Sequence, residues 1–283
     1  MLLAKLLAVV LALLLPAPRQ GDDGDATTLT AMSFNLRYGT ANDGDNSWPN
    51  RDHLVMGVFD ARNADIVGVQ EALAFQLDEI TEAHPNYGVI GVGRDDAKTK
   101  GEYSAILYRT DRFIVDRSGT FWLSDTPETV ASTSWGNSIP RICTWARLID
   151  RKSDAAIYAF NAHYDHRSQE SREKSSRLIL ERIAGRLHDD PVVLLGDFNA
   201  GELNLAITSL IDSGLIHTYR ETHPDETTVG TFNAFRGKSD GEMIDHILVS
   251  PGVKILNADI DRTNDNGQYP SDHNPVWTTI ELP

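Results

Sequence analysis

One stretch limits what this chain can fold into more than any other. In Pro191-Val-Val-Leu-Leu-Gly-Asp-Phe-Asn-Ala200 an apolar run passes without a polar residue into Asp197, with Asn199 two places further on. Such a run reads as a buried strand. Residues two apart in a strand share a face, so Asp197 and Asn199 project together where the apolar run stops. The carboxyl end of a strand is also where α/β proteins commonly place their chemistry. A purely structural reading exists beside this one: a strand followed by a turn, with Asp197 capping and Asn199 taking a positive φ. The stretch alone leaves both open.

The surrounding chain repeats one pattern. Leu29 to Asn35 alternates apolar and polar residues as a half-buried strand does; Trp48-Pro-Asn-Arg51 opens a helix with Leu54, Val55, Val58 and Phe59 at helical spacing and Asn50 as its cap. Asp65 to Glu71 is then a strand that ends in a carboxylate. A second round follows: a strand over Ala155–His163, a helix over Ser168–Leu187 with Leu178, Ile179, Ile183 and Leu187 on one side, and the stretch ending at Asp197. Two such units predict two similar half-domains whose strands point their carboxyl ends the same way. The second round's first strand ends in Asn161 and His163, and the four strand exits would offer Asn35, Glu71, His163, and Asp197 with Asn199. Glu102–Arg109, Phe113–Asp116, Arg141–Leu148 and Ile244–Val249 read as further strands, while Ser124–Pro140 and most of Glu221–Gly241 read as loops.

Composition bounds the rest. At 283 residues and 41% hydrophobic content the chain holds a real core. No linker interrupts the apolar content, so residues 28–283 are expected to form a single domain. The formal net charge is −15, which argues against a sequence-independent grip on nucleic acid through a basic face. It does not exclude nucleic acid, because a metal-filled acidic site engages phosphate locally. Cys143 is the only cysteine, so no intramolecular disulfide forms, and its strand-like setting gives it the role of a small buried hydrophobe. Lys5 and the apolar run Leu6–Leu15 have the layout of a secretory signal over residues 1–20, too short to span a membrane. An uncleaved anchor or an early start codon would look similar; export to periplasm or medium, as a monomer with no transmembrane span in the mature chain, is the expectation.

Near the carboxyl end, Ile244-Asp245-His246 and Ser271-Asp272-His273-Asn274-Pro275 add carboxylates and imidazoles. Each has an ordinary explanation alone, and His246 beside an apolar strand reads as a satisfied core residue. Glu71, Asp197, Asp245 and Asp272 brought together would repel, and one would take up a proton unless a cation sat among them. An oxygen-rich donor set without cysteine suits Mg²⁺, Mn²⁺ or Ca²⁺ better than Zn²⁺. Paired with a carboxylate, His273 would be a base tuned to near neutral pH.

Taken in order, Asn35, Gln70-Glu71, Asn161-Ala-His163, Gly196-Asp197-Phe-Asn199, Ile244-Asp245 and Ser271-Asp272-His273 resemble the endonuclease/exonuclease/phosphatase superfamily of deoxyribonuclease-like phosphohydrolases, from Leu29 to Leu282. The resemblance implies an α/β fold, a four-layer α/β sandwich of two mixed β-sheets packed face to face with helices outside. It implies phosphoester hydrolysis by in-line attack of water with Mg²⁺, or Mn²⁺ in its place. Glu71 would be the main metal ligand, with Asn35 and Asp272 beside it. Asp245 would orient His273, acting as general base or phosphate-binding cation; Asp197 would align the water or protonate the leaving oxygen; Asn199 and His163 would hold phosphate oxygens.

Substrate is less constrained. Arg37 stands where the abasic-site endonucleases of the superfamily carry a carboxylate, which counts against that role. Arg37, Trp48, Trp135, Arg141 and His166 are candidates for a substrate rim, although packing or surface ion pairing explains each equally well. A phosphorylated small molecule or phospholipid head group is the expected substrate; a secreted non-specific nuclease and a catalytically silent binding protein of the same fold are the alternatives.

Overall fold

A computed structural model of the chain describes residues 26–283; the expected signal segment lies outside the described residues. The strands are β1 (Thr28–Asn35), β2 (Ile66–Ala72), β3 (Tyr87–Ile90), β4 (Tyr103–Arg109), β5 (Phe113–Trp122), β6 (Ile142–Asp150), β7 (Ala156–His163), β8 (Val192–Asp197), β9 (Ile216–His217), β10 (Asp245–Val249), β11 (Lys254–Ile260) and β12 (Val276–Glu281). The helices are α1 (Trp48–Arg62), α2 (Ala74–Ala83), α3 (Gln169–Ala184), α4 (Leu205–Asp212) and α5 (Thr218–Thr222). Two six-stranded mixed sheets form, ordered β11-β12-β1-β2-β4-β3 and β5-β6-β7-β8-β10-β9. The two repeated units are the two parallel pairs, β1 with β2 and β7 with β8, each joined through a helix, α1 or α3. Every other pair is antiparallel.

Period-two alternation sorts the apolar residues into layers. Leu29 and Ala31 of β1, Ile157 and Ala159 of β7, Val193 and Leu195 of β8, and Ile247 and Val249 of β10 meet in the core between the sheets. The alternate residues face the helices. Met32, Phe34, Val67 and Val69 pack on Val55, Val58 and Phe59 of α1 and Leu77 and Ile80 of α2, while Val192 and Leu194 pack on Ile179 and Ile183 of α3 and Ala206, Ile207 and Leu210 of α4. The result is a four-layer α/β sandwich, helix, sheet, sheet, helix.

Some local expectations are corrected. Asn50 is not the cap of α1: Ser47 is, and Asn50 lies inside the first turn after Pro49, whose missing N–H suits a helix start. Helix α3 stops at Ala184 with Ser168 as a side-chain cap; Leu187 falls beyond it and is 64% exposed. Strand β5 runs on to Trp122, past a register shift between Val115 and Arg117 that breaks the alternation a strand is read from. Cys143 is buried, and burial pushes its thiol up.

Glycine is required at one interior crossing. A Cβ at Gly68 of β2 would lie 2.8 Å from the Asn161 side chain and 3.0 Å from the Leu195 Cβ. Asn161, read from sequence as a strand-exit residue, is instead a bolt between the sheets. Its amide donates to the Val69 carbonyl at 2.9 Å and the Ala105 carbonyl at 2.7 Å, and its oxygen accepts from Gln70 Nε2 at 2.7 Å. A buried amide so fully bonded fixes how the sheets sit on each other.

Candidate active site

The inter-sheet faces of the strands do not end where the apolar core ends. Asn35 continues the face of Leu29 and Ala31, His163 that of Ile157 and Ala159, Asp197 that of Val193 and Leu195, and Asp245 that of Ile247 and Val249. Registers bring them level: His163 pairs with Asp197 in the parallel β7–β8 ladder, and Asp245 stands opposite Asp197 in the antiparallel β8–β10 ladder. A carboxylate row with an imidazole therefore crosses the end of one sheet, facing Asn35 on the other.

Glu71 is the exception. Its parity matches Val67 and Val69, which face the helices, so simple alternation would turn it away from the other groups. A bulge between Gln70 and Ala72 and a φ of 57° at Glu71 re-aim it into the cavity. Arg37 and Asn199 also hold positive φ, at 55° and 47°. Left-handed backbone is uncommon outside glycine and collects at functional sites.

Asp197 is the hub. Its Oδ2 accepts from Asn35 Nδ2 at 2.9 Å and lies 3.5 Å from His163 Nε2 and 3.9 Å from His273 Nε2; its Oδ1 accepts the Asn199 N–H at 2.9 Å. The turn reading of Asp197 and Asn199 therefore holds, and both residues line the same cavity. His273 Nδ1 donates to Asp245 Oδ2 at 2.8 Å. Two loops carry His273 and hold it: Asn233 and Ala234 N–H donate to the Asp272 carbonyl, and the buried Arg51 spans the neighbouring chain, donating to Pro270 O at 2.6 Å and Arg37 O at 3.0 Å.

Burial and like charge set the protonation states. Desolvation first, and the facing Asp245 second, raise Asp197 to about 7. Burial alone would lower His273, but Asp245 and Asp197 overcome it and hold the ring well above its usual range, as imidazolium. A ring held well above neutrality departs from the expectation of a base tuned to near neutral pH and agrees with the other role the resemblance implies, a phosphate-binding cation. His163 is pushed well down, by burial first and then by Arg141, and is neutral.

The cavity above the hub is about 610 Å³ and is lined by Arg37, Tyr38, Glu71, Arg94, Glu102, Ile139, Arg141, His163, His166, Asp197, Asn199, Phe232, Ile244, Asp272 and His273. Arg37, Arg141 and His166, named as rim candidates, line this cavity. Trp135 does not: its Nε1 donates to Asp125 Oδ1 at 2.7 Å, and its ring packs on the α3 side of the core. Trp48 is also elsewhere, buried with Nε1 donating to Glu79 Oε2 at 2.6 Å. In both, an amphipathic indole has found apolar neighbours and one polar partner. Asn35 and Asp245 lie beneath the cavity floor. Tyr38, Arg94, Glu102 and Phe232 escaped the sequence reading; Glu102 opens an antiparallel neighbour of β2, so its start lies beside the exit of β2, a signal visible only once the pairing is known.

Oxygen donors dominate the site. Among the described residues, ligand atoms within 4.8 Å of one another form two groups, Glu71 with His163 and Asp197, and Asp197 with Asp245 and His273. Asp272 belongs to neither and sits 3.8 Å from Arg37 Nε; Asn35 turns its NH₂, not its oxygen, toward Glu71 and Asp197. Asp245 Oδ1 is buried with no hydrogen-bond partner, and Asp272 is raised by burial with Glu71 adding to it. Crowded, under-compensated carboxylates of this kind fit a hard divalent cation.

The family model described as the Endonuclease/Exonuclease/phosphatase family matches residues 32–273, a span that holds every one of these groups. The chain belongs to that family. Endonuclease/exonuclease/phosphatase proteins are phosphoester hydrolases, and the family is metal-dependent. A family member from Bacteroides thetaiotaomicron is 34% identical and superposes with a TM-score of 0.85, over 92% of this chain and 99% of that one. A mannosyl-6-phosphatase of the same organism is 36% identical, TM-score 0.82, over 90% and 99%. A protein of Acanthamoeba polyphaga mimivirus is 28% identical over 253 residues, 83% of this chain and 92% of its own length.

Proposed function

We propose that the protein is an exported, metal-dependent hydrolase that cleaves the phosphate ester of a small molecule by in-line attack of water. The convergence of Glu71, His163, Asp197, Asn199 and His273 on one cavity of about 610 Å³ carries this reading. Phosphate bound there meets the imidazolium of His273, the neutral ring of His163 and the amide of Asn199. Asp197, near neutrality in its affinity for a proton, aligns the water and takes its proton or returns one to the leaving oxygen. Glu71 is the residue we assign to hold Mg²⁺ or Mn²⁺, with Asp272 in the adjoining wall, Asn35 beneath the floor and Asp197 left for the proton. A cation bound there would polarise a phosphoryl oxygen and offset the charge that builds up in the transition state. Asn35 ties Glu71 to Asp197, and Asp245 keeps His273 charged and in place.

Likeness to a mannosyl-6-phosphatase supports sugar phosphates among the candidate substrates, beside phospholipid head groups. The net charge of −15 supports small substrates over long nucleic acid. Turnover of p-nitrophenyl phosphate, bis-p-nitrophenyl phosphate, sugar phosphates, sphingomyelin and plasmid DNA, with Mg²⁺ and with EDTA, tests the reading. Small-molecule turnover that EDTA abolishes is expected. Full activity in EDTA would sink the metal assignment, and plasmid cleavage without small-molecule turnover would replace the substrate class with nucleic acid. Fractionation with amino-terminal sequencing tests export.

A further inference from the structure

Three arginines line the cavity, and two are spoken for. Arg37 forks onto Asp43, Nε at 3.0 Å and Nη2 at 2.9 Å, and Arg94 forks onto Glu102 at 2.7 and 2.8 Å. Arg141 has no such partner. It stands just before β6, whose start lies beside the exit of β7 where His163 is placed. Its Nη2 donates to His166 Nδ1 at 3.0 Å, and the nearest carboxylate, Asp165, is 3.7 Å from Nε. Asp165 is already engaged by the N–H groups of Arg167 and Ser168, at 2.8 and 2.7 Å. Nε and Nη1 of Arg141 are buried without a hydrogen-bond partner, and the residue is 4% exposed.

A buried guanidinium with open donors is costly unless an anion completes it. Its planar fork matches two phosphate oxygens. A phosphomonoester has three non-bridging oxygens and gains a second negative charge above a pKa of about 6. A diester has two such oxygens and one charge throughout. We propose that Arg141 reads this difference, binding the phosphate of a monoester dianion and making the enzyme a phosphomonoesterase rather than a diesterase. The proposal rests on the phosphohydrolase reading above and adds the charge class of the substrate.

The test compares kcat/KM for p-nitrophenyl phosphate and bis-p-nitrophenyl phosphate, which share a leaving group, across pH 5 to 8 with Mg²⁺ present. Titrations of the enzyme that act alike on both esters cancel in the ratio of the two. In the wild type the monoester-to-diester ratio should rise with pH as the dianion forms, mainly below pH 6 because the electron-withdrawing nitrophenyl group lowers the second pKa beneath the ordinary value of about 6. Arg141→Gln should lower that ratio by about tenfold or more and flatten its pH dependence, and Arg141→Lys should recover part of it, a charge without the fork. Equal losses on both esters, or a wild-type ratio that favours the diester or ignores pH, would overturn the proposal. Should Arg141→Gln fail to fold by circular dichroism, the wild-type ratio and the lysine variant decide. If the wild type turns over neither these esters nor the wider panel above, the functional reading has failed; calorimetric titration with inorganic phosphate then tests Arg141 alone, with about tenfold weaker binding expected in the glutamine variant and an unchanged Kd refuting it.

Discussion

Asp197 and Asp245 face each other in the β8–β10 ladder, and only Asp245 has an imidazolium hydrogen-bonded to it. Like charges directly opposite in a sheet are unfavourable, so the strain falls on Asp197. An activity limb should rise with pH as Asp197 loses its proton near 7, and a bound cation moves that limb lower. Asp197→Asn should abolish the limb and lower kcat by more than about a hundredfold, read from pH–rate profiles. A second expectation concerns His273, which Asp245 raises against the pull of burial. Asp245→Asn should lower its pKa, followed by NMR of the imidazole protons. An unmoved resonance would show that Asp197 alone sustains the charge.

Strands and turns explain which parts of the site were legible in the sequence. Alternation revealed β1, while β7 and β8, buried on both faces, show as nearly unbroken apolar runs; Asn35, His163 and Asp197 stand where these patterns stop. Glu71 was found for the wrong geometric reason: its parity points away, and only the bulge in β2 turns it inward. Edge strand β11, mostly exposed, leaves no such period and was not read at all. Phe232, 46% exposed and edge-on to the His273 ring at 5.2 Å, comes from a loop whose place depends on pairing with residues 271–274, distant in sequence. Local patterns cannot report such a contact. The crossing at Gly68 is equally silent. Gly68→Ala should destabilise the fold by roughly 1–3 kcal/mol, because Asn161 and Leu195 would have to give way. Urea unfolding measures it; a loss below a few tenths would mean the sheets yield more easily than their polar bolt implies.

The stability of the molecule as a whole should depend on pH through a pair away from the cavity. The Arg220 N–H donates to His217 Nδ1 at 3.4 Å, His217 Nε2 contacts His246 Nδ1 at 2.8 Å, and His246 Nε2 contacts Ala200 O at 2.8 Å. This chain is consistent only with two neutral rings, in which His246 donates to the carbonyl and accepts from His217. His246 thus fulfils its expected part as a satisfied core residue. Burial lowers both rings below the ordinary 6.5. The unfolded chain therefore binds more protons, so their contribution is complete above about pH 6.5 and is lost as pH falls toward the folded values. Wild-type Tm should fall relative to that of His217→Gln between about pH 7 and pH 5, a comparison in which the opposite-signed contributions of Asp197 and His273 cancel. Crowded carboxylates add a second dependence: Tm should rise with Mg²⁺ or Mn²⁺ concentration, as binding to the folded state alone requires, and a flat response would count against the cation site.

Strand β1 pairs along its length with β12, Thr28 opposite Glu281, and the Leu282 N–H bonds to Thr27 O. The strand that supplies Asn35 has one edge covered only by a segment far downstream in the chain. Until β12 has been made, that edge of β1 stands open, so the floor beneath Asn35 is completed only when two segments far apart in the chain have met. A nascent chain stalled before Val276 should be inert, however much of the site it already contains.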